Sequence, residues 1–151
     1  MKFRVLIIIS VLVLLIILCY TLYIPTRPHG MSPEETVNYY FEQYNDKNIK
    51  KINSITHPSH RSNGAELDFN KLISVKVINL QEEKDSNKIF FDYKEVYSSP
   101  PYQVSMVRAK YDIQFKGEFG STTRSGINET NFYLIKKHED SDWLIVSMGL
   151  G

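Results

Sequence analysis

The chain has a single cysteine, Cys19, in 151 residues, and it lies inside an N-terminal apolar run. Everything after that run can form no internal disulfide and offers no thiolate to a metal, so packing must hold its fold together. No alanine occurs before Ala65, which removes the small-residue A-x-A pattern where a secretory signal peptide is cut. Charge of one sign is not in excess, with 18 Lys and Arg against 17 Asp and Glu. That balance lacks both the basic footprint of a nucleic-acid binder and the acidic block of a solvating tail. There is no H-E-x-x-H helix for a metal and no G-x-S-x-G elbow for a nucleophile. No internal repeat or low-complexity block is visible either.

What the chain does have is an uncharged stretch from Val5 to Ile24. At about 1.5 Å per residue, a helix of that length matches the roughly 30 Å hydrocarbon core of a bilayer. Lys2 and Arg4 precede it, while Arg27 is the only strong base close behind, with Glu34 and Glu35 following. The positive-inside bias then predicts a cytoplasmic N-terminus and an extracytoplasmic remainder. Leu18 is not the small residue that acylation at Cys19 would want, so a retained signal anchor is the expectation rather than a lipid anchor. Residues 25–30 form a short linker in which Pro25 and Pro28 disfavour helix. The exported part holds 16 bases (18 less Lys2 and Arg4) against 17 acids, and its length suits one domain.

Ser32-Pro33-Glu34-Glu35 predicts a helix start: Ser32 as cap, Pro33 at the first helical position, Glu35 completing a capping box. Val37, Tyr40, Phe41 and Tyr44 then form one apolar stripe. A second short helix is predicted over Lys47–Ile55, with Ile49, Ile52 and Ile55 on one side and His57-Pro58 beyond its end. Later segments alternate as strands: Leu72–Gln81, Lys88–Tyr97, Gln103–Lys116, Ile127–Lys137 and Asp142–Met148. Helices followed by a run of about five strands predict an α+β fold, with two helices packed on a curved antiparallel sheet.

The helix opening at Ser32-Pro33-Glu34-Glu35-Thr36-Val37 with Tyr40-Phe41 resembles that of a nuclear transport factor 2-like domain, a cystatin-like cone. So do the short second helix ending near Thr56-His57-Pro58 and the closing Asp142-Trp143-Leu144-Ile145-Val146-Ser147-Met148-Gly149. More narrowly, the chain is similar to uncharacterised small membrane-anchored proteins of Gram-positive bacteria. The resemblance spans residues 31–149 and implies a cone that often has a pocket at its open end. It brings no catalytic signature, and such a fold serves enzymes and binding modules alike.

Candidate contact residues follow from the strand phases and loops. Tyr93, Tyr111 and Tyr133 are expected to share the inward phase of three strands. There they either line a pocket or simply pack the sheet face. Phe119 lies near the tip of the 117–126 hairpin, a candidate partner contact. His57 and His60 are the only histidine pair, but Pro58 breaks any regular ligand spacing, so they are expected as helix-ending loop residues. Asp92, Glu95 and Asp112 lie on predicted strands, but Asp112 falls in the polar phase and Asp92 opposes Phe91 and Tyr93. No catalytic, cofactor-binding or metal residue is assigned. The expected function is an extracytoplasmic binding module on a bilayer anchor at residues 5–24, taking a protein or small ligand and no nucleic acid. A bitopic assembly scaffold and a small-molecule enzyme are the alternatives.

Overall fold

Ser32 opens the first helix, α1 (Pro33–Asn45), with the reciprocal bonding its sequence predicts. Its Oγ accepts from the Glu35 amide at 3.1 Å, and the Glu35 carboxylate accepts from the Ser32 amide at 2.7 Å. Two of the otherwise orphaned amides of the first turn are thereby satisfied. Ser32→Ala should lower stability by about 1 kcal/mol, read as a lower urea midpoint with unchanged slope. The computed structural model describes residues 10–15, 28–64, 67–83, 101–117 and 124–149.

Helix α2 (Ile49–Ser54) follows at once, capped by Asn48 Oδ1 on the Lys51 amide. Lys47 turns the chain between them with a φ of 57°. Ile52 and Ile55 are buried and Ile49 packs partly against the same core, so the predicted apolar side of this helix is present. A single 3-10 turn at Pro58–His60 comes next.

Four strands form one antiparallel sheet in the order β1 (Leu72–Glu83), β2 (Gln103–Phe115), β3 (Gly126–Lys136) and β4 (Leu144–Gly149). Strand β2 shows the alternation its sequence predicts: Val107, Ala109, Tyr111, Ile113 and Phe115 are all buried. The predicted strand over Lys88–Tyr97 lies outside the described residues. Because β1 and β2 are hydrogen-bonded neighbours, no further strand stands between them in this sheet. Residues 10–15 are helical, and the rest of Val5–Ile24, Cys19 included, also lies outside the described residues. Among the described residues no helix is long and apolar enough to cross a membrane.

One face of the sheet takes the stripe from α1. Phe132 is 1% exposed, with ring centroids 5.2 Å from Tyr40 and 5.4 Å from Phe41. Val37, Ile55, Leu72, Leu134 and Ile145 complete this cluster. Both sheet edges are occupied. Along β1, the Val75 amide donates to Asn45 Oδ1 and the Glu82 amide to Glu34 Oε1, both at 3.0 Å. Along β4, Ile145 exchanges backbone bonds with Ile55 and His57 at 2.9 and 2.8 Å. Unpaired strand edges template association, and here helix side chains and the segment after α2 cover them.

Strand β1 departs from simple alternation at two bulges. Ile73 and Ile78 are the extra residues opposite Gln114 and Lys110. Each bulge places two successive residues on one side of the sheet, so Leu72 and Val75 both face the core although three apart.

Candidate functional site

Of the candidate tyrosines, Tyr111 and Tyr133 do not converge. Tyr111 faces the core, 7% exposed, with its ring 4.7 Å from Phe41 and its hydroxyl 3.0 Å from Thr130 Oγ1. Tyr133 pairs with Met106 while Phe132 pairs with Val107. Directly paired residues share a face, so Phe132 takes the core phase and Tyr133 points to the opposite side. The expectation that Tyr133 shares the inward phase is therefore corrected. Both phases of β3 are partly apolar, and register with β2 decides between them. Tyr93 and Phe119 lie outside the described residues, as do Asp92 and Glu95. Asp112 stands on the outer face opposite Lys76, accepting from Gln114 at 2.8 Å, which agrees with its polar phase.

The buried tyrosines of α1 are held neutral. Burial, then Tyr111 and Asp68, pushes the Tyr44 phenol up to about 12, and its hydroxyl donates to the Leu67 carbonyl at 2.9 Å. Burial first, then Tyr44 and Tyr111, raises Tyr40 as well. Around neutral pH these phenols act as ring surface and hydrogen-bonding groups, not as acids. Among the described residues, the interior beneath α1 is filled by this aromatic cluster.

The histidine pair belongs to a different corner. The His57 amide donates to Ile145 O, which ties the end of α2 to β4. Its ring then caps the 3-10 turn: Nδ1 lies 2.6 Å from Ser59 Oγ and also accepts from the Ser59 amide at 3.4 Å. With Nδ1 accepting, the neutral ring carries its proton on Nε2. The serine meets His57 rather than its neighbour His60, and the geometry is that of a cap. The His57 and His60 rings are 6.2 Å apart. Among the described residues no group of three or more His, Cys, Asp and Glu is placed to hold a metal ion.

Burial, then Lys137, His60 and Arg61, holds His57 below its ordinary range. The unfolded chain therefore binds more protons there than the folded one as pH falls. The stability tied to neutral His57 is complete above about pH 6.5 and is lost as pH drops through the lower folded value. Urea midpoints between pH 7 and 5 should fall more steeply for the parent chain than for His57→Asn, whose amide can still cap.

Beside this corner the linker is clasped. His29 Nδ1 lies 2.9 Å from Asp142 Oδ2, and the Gly30 amide donates to Oδ1 of the same carboxylate at 3.0 Å. Gly30 adopts a φ of 73°, the left-handed conformation glycine takes without strain. Sequence reasoning missed this contact, because His29 and Asp142 are separated by 113 positions. Gly30 after His29 was the only local signal that the chain turns there.

Residues 34–149 match the family model described as Domain of unknown function (DUF4829). Comparison with curated proteins and with solved structures gives no match.

Proposed function

The chain belongs to the DUF4829 family, and on that premise we propose that it is a single-pass membrane-anchored module whose extracytoplasmic domain binds a partner through its surface. The observation carrying this reading is the helical segment 10–15. Val11, Leu12, Val13, Leu14 and Leu15 are between 50% and 66% exposed. Successive residues advance about 100° around a helix, so these five cover every side of it. A helix of a water-soluble domain buries at least one stripe, and this one buries none; hydrocarbon is the medium that suits it. In the sequence the uncharged run around this segment extends from Val5 to Ile24. The charge asymmetry around it supports a cytoplasmic N-terminus.

Two helices packed on an antiparallel meander support kinship with the nuclear transport factor 2-like cone. Tyr111 is packed and hydrogen-bonded, which favours contact through the outer surface over a small molecule held beneath α1. A second reading, a bitopic assembly subunit, draws on the outer sheet face. There Ile73, Ile78 and Ile127 are 56%, 49% and 66% exposed. Exposed apolar groups on one face suit a protein contact.

Protease added outside intact cells should remove the domain, and the membrane-bound stub should resist alkaline extraction. A protected domain, or complete release by alkali, ends the anchor reading. Cross-linking in the membrane that traps a homomeric species dependent on Ile127 would favour the assembly reading instead.

A further inference from the structure

One carboxylate, Asp142, engages two consecutive residues of the linker. His29 Nδ1 lies 2.9 Å from Oδ2, and the Gly30 amide donates to Oδ1 at 3.0 Å. The Asp142 side chain is only 13% exposed, so this acceptor is set into the domain. Gly30 turns the chain at a φ of 73°, Met31 packs against the core cluster, and Ser32 begins the capping box of α1. From His29 onward each residue is thus fastened to the domain, and residues 25–28 alone join it to the apolar run.

A tether that short has consequences for polarity. Two residues beyond Asp142, Leu144 opens β4 and pairs with Ile135 near the end of β3. Ile127 lies eight residues back along β3. At about 3.3 Å per residue, that places it about 26 Å from Ile135. The five steps from Ile24 to His29 span at most about 18 Å. Turning the domain over, with the Ile127 end on the bilayer, lifts Asp142 further than the tether reaches. With the clasp open, the tether runs instead to the cap at Ser32. Eight steps then give about 29 Å, enough for either end to face the bilayer.

We propose that the clasp of His29 and Gly30 on Asp142 is a latch that sets the polarity of the domain on its anchor. The β3–β4 turn faces the bilayer and the Ile127 end faces away. This rests on the membrane-anchored reading above. No attraction to lipid is needed, because chain length alone removes the reversed orientation.

Trp143, the single tryptophan, stands beside the latch. Ile127 is 66% exposed, so Ile127→Trp combined with Trp143→Phe moves the same donor to the other end. Each full chain is reconstituted into phosphatidylcholine vesicles containing a dansyl-labelled headgroup lipid, and energy transfer to dansyl is measured. Transfer from Trp143 should exceed transfer from the donor at position 127 severalfold. Asp142→Ala should lower transfer from Trp143 by about twofold, because two polarities become comparably populated. A Gly-Ser-Gly-Ser insertion after Thr26 leaves the clasp intact but lengthens the tether to about 32 Å, and it should act in the same way. A response to Asp142→Ala without one to the insertion reports a local disturbance at Trp143 and overturns the latch. Equal transfer from the two positions, in chains that resist alkaline extraction, also overturns the latch and leaves the anchor standing. Loss of the parent chain from the vesicles on alkaline extraction overturns the anchor, and the latch with it.

Discussion

Phe132→Ala is expected to lower stability by about 3–5 kcal/mol, against a total of about 5–15 kcal/mol for a domain. The residue is 1% exposed and stands where the stripe of α1 meets the sheet. Truncation removes the transfer energy of a whole ring and also the edge-on contacts with Tyr40 and Phe41. The surrounding rings are themselves pinned: Tyr44 bonds Leu67 O, and Tyr111 bonds Thr130. They have little freedom to collapse into the space, which places the cost toward the upper part of the range. Urea unfolding of the full chain in detergent, followed by Trp143 emission, should show the midpoint lost or sharply lowered. Phe132→Leu keeps most of the volume and should cost well under half as much. Equal costs for the two would mean that this ring is not packed as described.

Much of this core is legible in the sequence because local signals agree with one another. Ser32, Pro33 and Glu35 identify a helix start irrespective of what it packs against, and β2 alternates without interruption. The failures have physical causes. A bulge inserts one residue without altering local composition, so the phase of β1 slips at Ile73 and again at Ile78. Isoleucines outside the core then look the same as isoleucines inside it. In β3, Phe132 and Tyr133 are adjacent rings, and only pairing with β2 decides which turns inward. Of the candidate site, Pro58 predicts only that the helix stops before it; α2 ends at Ser54 with Ile55 as its cap, and His57 instead opens the 3-10 turn. Its bond to Ile145 and the clasp between His29 and Asp142 join segments far apart in sequence. No spacing rule encodes them.

The clasp fastens residues 29–30, close behind the N-terminal run, to Asp142 just before β4, so under the proposed anchor reading the run would set where the domain is held. The largest effect on location is therefore expected from charging the run itself. An arginine near the centre of a membrane helix costs about 2.5–3.5 kcal/mol on insertion scales. Leu12→Arg together with Leu15→Arg costs about 5–7 kcal/mol, comparable with the roughly 4–8 kcal/mol that the thirteen other Leu, Ile and Val residues of Val5–Ile24 supply on the same scale. The double variant should be depleted severalfold from the alkali-resistant membrane fraction, and a matching share of its domain should no longer be reached by protease outside intact cells. Leu12→Ala with Leu15→Ala touches the same positions without adding charge and should remain inserted. Should the arginine variant still resist alkali, Val5–Ile24 does not hold the chain in hydrocarbon.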